Sequence, residues 1–200
     1  MSEDAQVNEQ GGWEQRHELL LKEWGEIASG YQWLHGRSYR RFNRRSNCAV
    51  VTVMLITALV ATFNFTSNSF AFENSSYLSY VAGLMGYLST TVTGVASKMG
   101  LESLAKRHRE YQSVFGGLSR EIRTELSLPV SERSSSGADY VRTSRARLDG
   151  FLQSAPSVPE SVLRDYRKGF GNSGVTMPAE VGVRSISLRS TQSSSQSVEV

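Results

Sequence analysis

The sequence predicts an all-α membrane protein: a two-span transmembrane helical hairpin, extended by long cytosolic helices and joined by a short third cytosolic helix. Three observations carry that expectation. Two stretches, Cys48 to Phe65 and Tyr77 to Ser97, contain no Asp, Glu, Lys, Arg or His. A loop whose one charge is Glu73 joins them, while cations crowd their outer ends. Stripes of apolar residues at helical spacing continue on both sides.

About 18 uncharged residues are enough to cross a bilayer as a helix. At ~1.5 Å per residue the two stretches reach roughly 27 and 31 Å, close to a hydrocarbon core of ~30 Å. Arg37, Arg40, Arg41, Arg44 and Arg45 precede the first; Lys98, Lys106, Arg107 and Arg109 follow the second. Lys/Arg bias next to spans sets orientation, which predicts a multi-pass integral membrane protein with both termini cytosolic. Residues 1–12 hold no apolar core of a signal peptide, so the first span is expected to act as the insertion signal. The arginine run feeds a formal net charge of +3. Beside a span, such a run suits an anionic leaflet better than nucleic acid. The lipid bilayer is therefore the expected partner, and nucleic acid is not. Cys48 is the single cysteine, which excludes an intrachain disulfide and a multi-cysteine metal site.

In chain order, residues 1–12 are polar and read as a disordered N-terminus. From Trp13, the stripe His17, Leu20, Trp24, Ile27, Tyr31, Leu34 and Ser38 steps by three and four. It predicts one long helix running into the first span. Gly25, Gly30 and Gly36 weaken that helix and allow another to approach closely. In the second span, Ala82, Gly86, Thr90 and Gly94 recur every four residues, the pattern of a small-residue packing face between membrane helices. Beside them runs a hydroxyl row, Ser89, Thr93 and Ser97. It serves either cross-helix hydrogen bonds or the lining of a water-filled pore in an oligomer.

After Met99 a second, coiled-coil-like seam follows: Leu101, Leu104, His108, Tyr111, Phe115, Leu118 and Ile122. Gly116-Gly117 marks a kink within it. The two seams are expected to close on each other as an antiparallel cytosolic stalk. Leu128-Pro129 ends the helix. A third cytosolic helix presents Tyr140 or Val141, Ser144, Leu148 and Phe151/Leu152. Ser157 to Glu160 has capping-box spacing and opens a short helix through Val162, Leu163 and Tyr166, ended by Gly169 and Gly171. Residues 13–168 thus form one helical domain, and 169–200 a flexible Ser-rich tail.

Catalytic constellations are missing from the sequence. There is no Walker A, HExxH or GxSxG motif. His17, His35 and His108 lie far apart, although His17 and His108 sit on the two stripes and are placed to meet in the stalk. A hydrogen-bonded core histidine is the simpler use of such a residue, since a metal site needs more ligands. The expectation is a protein that is not an enzyme and holds no cofactor and no metal.

The order of short motifs resembles a known family. Trp24 and Tyr31-Gln-Trp-Leu-His35 lead into Asn43 and Asn47; the hairpin follows, then a helix around Tyr111. Glu121-Ile122 to Leu126-Ser-Leu-Pro129, Arg133, Phe151-Leu152 and Ala155-Pro-Ser-Val-Pro159 close the unit. From Trp13 to Tyr166 this resembles the SLATT proteins, the SMODS- and SLOG-associating two-transmembrane effector domains of bacterial conflict systems, large DNA viruses and eukaryotes. The resemblance implies an oligomeric pore-forming effector that disrupts membrane potential in a defence-type response. No sensor domain is visible in this chain, so the resemblance implies a sensor protein in trans and a homo-oligomer. The alternative expectation is a structural membrane scaffold or virion-membrane protein that recruits partners through its cytosolic helices.

Overall fold

All four prolines fall after Leu128. Nothing before that point breaks a helix by a fixed φ or a missing N–H. The computed structural model describes residues 12–69, 75–171, 176–179 and 181, and its long elements lie in that proline-free part. The order is α1 (Gln15–Ser69), α2 (Ser75–Lys98), α3 (Leu101–Ser127), a 3-10 turn (Val130–Glu132), α4 (Gly137–Ser154) and α5 (Glu160–Phe170). At ~1.5 Å per residue α1 is about 80 Å long. Its two halves have different surroundings.

Among the described residues, α2 returns alongside the distal half of α1 as an arm. A single left-handed residue, Gly100 at φ 56°, then turns the chain from α2 into α3. Glycine takes that conformation without a Cβ clash. α3 runs antiparallel to the proximal half of α1: His108 faces His35, Phe115 stacks on Tyr31 and Ile122 covers Gly25. A Cβ at Gly116 would lie 2.7 Å from Gln32 Nε2. That glycine lets α1 and α3 close together, and α3 is assigned as one helix through Gly116-Gly117.

Leu128 is extended before Pro129 and ends α3. The following turn is clamped to the start of α1. The Arg133 guanidinium lies 4.3 Å from the Trp13 ring centre, and Nη1 is 2.7 Å from Glu18 Oε1, an ion pair rather than an aligned hydrogen bond. Ser136 caps α4 by accepting from Asp139 N. α4 then lays Ser144 and Leu148 into the core and sets Phe151 edge-on to Phe115. α5 starts at Pro159 with no side-chain cap, so the Ser157 capping box does not form. Its Val162, Leu163 and Tyr166 pack on the other flank of α1. Residues 176–179 and 181 fold back as well: Thr176 N donates to Glu26 Oε2, and Val181 is buried. The rest of the expected tail, the expected disordered residues 1–11, and loop residues 70–74 with Glu73 lie outside the described residues.

The expected seam of α1 is out of phase with its buried face. Leu20 is 40 % exposed, while Leu21, Ala28 and His35, spaced seven apart, are fully buried together with Leu34. A helix of 3.6 residues per turn drifts against a 3.5-residue repeat, and four packed helices demand a wider stripe than a two-stranded seam.

The structure does not support the expected two-span hairpin. Among the described residues only α1 holds a stretch long and apolar enough to cross a membrane, with mean hydropathy 1.5 over 18 residues and none of it buried. α2, which carries the expected second span, falls short because Ser, Thr, Gly and Tyr make up more than half of it. Freedom from charge is not apolarity. Hydroxyls and glycines leave a helix uncharged without making its transfer to hydrocarbon favourable. The fold class is therefore corrected to an all-α fold with one candidate membrane helix. The multi-pass localisation with both termini cytosolic required two crossings and is overturned with it.

Candidate functional site

The core of the bundle is a column of rings. Tyr31, His35 and Phe42 from α1 meet His108, Tyr111 and Phe115 from α3. These positions are one helical turn or two apart on each helix, so facing helices stack them in register. The two imidazoles are fully buried, with Nδ1 to Nδ1 at 2.8 Å. One Nδ1 must donate and the other accept, which requires opposite tautomers of two neutral rings. His35 stacks on Phe115 at 5.5 Å, and His108 on Phe42 at 5.4 Å. Both Nε2 atoms lack a hydrogen-bond partner among the described residues. Burial lowers each pKa to about 4; the other imidazole adds to this at His35, and the Arg107 charge adds to it at His108. The expected meeting of His17 with His108 does not occur. His17 Nδ1 accepts from Glu14 N at the start of α1, and His35 takes its place. The sequence reading missed His35 because it lies one residue past the Leu34 step. The signal available was the seven-residue series Leu21, Ala28, His35.

Open surfaces surround this core. Between α1, α3 and α5 lies a cavity of about 610 Å³, with Trp33, Tyr166 and Phe170 on its walls and Lys22, Glu26 and Arg123 at its edge. At the root of the arm, a second cavity of about 570 Å³ is lined by Arg37, Arg40, Arg41, Arg44 and Arg45, closed by Val162 and Asp165 of α5. The arm itself exposes Val50, Val51, Met54, Leu55 and Leu59 from α1. From α2 it exposes Tyr77, Tyr80, Leu84, Tyr87 and Leu88.

The sequence-predicted residues distribute as follows. Of the seam, Ile27, Tyr31, Leu34, His108, Phe115, Leu118 and Ile122 are buried, Trp24, Leu104 and Tyr111 half-buried, and Leu20 exposed. Of the candidate transmembrane packing residues, Ala82 is buried, and a Cβ at Gly86 or Gly94 would meet open space. Thr90 is exposed, and its hydroxyl bonds back to Gly86 O at 3.0 Å. Of the candidate pore lining, Ser89 is half-buried, while Thr93 and Ser97 are exposed. Thr93 Oγ1 donates to Ser89 O at 2.9 Å, and Thr93 and Ser97 border a groove against Ser46, Val50 and Val53 of α1.

The pore-forming effector is overturned by the same finding as the hairpin. It needed two embedded spans, and the structure has one exposed apolar stretch in α1. The alternative, a structural membrane scaffold or virion-membrane protein recruiting partners through its cytosolic helices, rested on the same two-span hairpin and falls with it. Among the described residues no three His, Cys, Asp or Glu side chains gather in a metal-binding group.

These features define an all-α protein: a helical bundle with a ring-filled core and one exposed apolar arm. No family model matches the chain, and neither the curated proteins nor the solved structures contain a match. The resemblance to the SLATT proteins therefore has no support beyond its short motifs, and the two-transmembrane element that defines the family is the part that the structure contradicts.

Proposed function

We propose that this protein is a helical binding module that attaches to a lipid bilayer through the distal half of α1 and acts by binding rather than by catalysis. One observation carries the reading. An 18-residue stretch of α1 has mean hydropathy 1.5 and is 0 % buried, whereas α3, α4 and α5 bury apolar residues in the core of the bundle. Covering a Val, Leu or Met side chain is worth about 1.5–3 kcal/mol. An exposed run of five such residues is a strong driving force for contact with an apolar phase. α2 adds Tyr77, Tyr80 and Tyr87 to the same arm, residues whose rings suit the boundary between lipid and water. The bundle, held outside the bilayer, would present the Trp33 cavity and the arginine pocket.

Flotation of the purified chain with neutral phosphatidylcholine vesicles tests this directly. The native protein is expected in the vesicle fraction. The double variant Met54→Lys/Leu55→Lys is expected in the dense fraction, because two charges on the exposed apolar side of α1 are costly to bring against hydrocarbon. Both residues are exposed, so the bundle should stay folded by circular dichroism. A native chain that stays in the aqueous fraction, or a variant that floats equally well, would contradict the reading. A defined dimer that ignores vesicles would assign the arm to a second copy of the chain instead.

A further inference from the structure

We propose that the arginine pocket at the root of the arm is a binding site for a ligand carrying vicinal phosphomonoesters, supplied either as a lipid headgroup or as the free phosphorylated compound. The proposal rests on the membrane reading above only for the lipid source. Arg37, Arg40, Arg41, Arg44 and Arg45 fall at i, i+3, i+4, i+7 and i+8, a single face of α1. Neighbours at such spacing repel when they carry like charge. Unrelieved repulsion of this kind needs a compensating anion, and the chain supplies little. Arg37 pairs with Asp165 at 3.6 Å, both side chains being about half exposed. The other four form no ion pair among the described residues.

The face is also concave. α5 leans against it and makes a cavity of about 570 Å³, with buried Val162 and exposed Asp165 on the opposite wall. A volume of that size takes one compact headgroup. It does not provide the extended track that a nucleic-acid backbone needs. Guanidinium groups hold phosphate oxygens through paired N–H donors, and several around one cavity favour dianionic phosphomonoesters over singly charged diesters. Asp165 offsets one of the five cations, so the pocket keeps a net positive charge that its carboxylate reduces. Cys48, the next lining residue along α1, begins the uncharged stretch of the arm. A lipid headgroup in the pocket would therefore have its acyl chains beside the apolar helix.

The test uses two probes with the full chain. Vesicles of phosphatidylcholine doped with a bisphosphorylated phosphoinositide are compared with phosphatidylcholine/phosphatidylserine vesicles of matched surface charge. A soluble inositol polyphosphate is titrated by calorimetry without vesicles. It reads the pocket independently of the arm, so a failure of the site and a failure of the membrane reading are distinguishable. Phosphoinositide vesicles are expected to bind at least about tenfold tighter than the matched ones, and Arg41→Gln/Arg44→Gln is expected to weaken that binding about thirtyfold. Asp165→Asn is expected to tighten it about fivefold, a gain that a folding defect cannot produce. Vesicle binding much tighter than soluble binding identifies the lipid source, and equal binding identifies the free compound; either upholds the site. Matched-charge vesicles binding equally well, unchanged binding by the arginine variant, or preferential binding of a short RNA would overturn it.

Discussion

His35 and His108 show what a single residue position decides in this fold. Both imidazoles sit neutral in a stack of rings, with pKa values lowered to about 4 from 6.5. The unfolded chain takes up protons near 6.5, so between these values it binds more protons than the folded chain does. Stability contributed by the pair is complete above about pH 6.5 and is lost as pH falls toward about 4. A shift of this size on one imidazole corresponds to on the order of 3 kcal/mol, and the two contributions do not simply add. Urea unfolding followed across this range should show the midpoint falling with pH. In His35→Phe/His108→Phe the dependence should flatten. A native chain whose midpoint is constant from pH 7 to pH 4.5 would contradict the neutral buried pair. The sequence showed His108 on its stripe and left His35 off the other, so the pair itself was not legible. Which ring faces which depends on the crossing of α1 and α3, and no local spacing records that.

At the scale of the element, α1 was legible in outline and misread in phase. Its helical period, its continuation into the arm, and the close approach at Gly25 all follow from local sequence. Its inward face does not follow from a strict heptad, because α3, α4, α5 and residue Val181 together enclose more of its circumference than one partner would. The difference is measurable. Leu21→Ala should destabilise the bundle by about 2–5 kcal/mol, while Leu20→Ala should stay within about 1 kcal/mol. Equal losses in denaturant melts would restore the heptad phase. α2 failed for another reason. Its spacing of Ala82, Gly86, Thr90 and Gly94 is a genuine pattern of small residues, yet spacing says nothing about mean transfer energy. Threonine hydroxyls that bond back to Gly86, Tyr87 and Ser89 reduce the cost of burial without making it favourable.

For the whole molecule, two environments meet on one helix. Among the described residues, the proximal half of α1 is covered by three other helices, and the distal half packs against α2 and leaves apolar residues exposed. The arginine face lies at the junction between them. That division was visible in the sequence as the change from a charged, striped segment to the charge-free stretch that begins at Cys48. The cavities formed by α5 were not, because they depend on how an eleven-residue helix leans on α1. The same division allows a test within one molecule. In a Cys48→Ser background, an environment-sensitive fluorophore is placed at Leu55→Cys in the arm or at Leu20→Cys on the bundle, both exposed sites. Neutral vesicles should blue-shift emission from position 55 and leave position 20 unchanged. No shift at 55, or equal shifts at both, would contradict attachment through the arm.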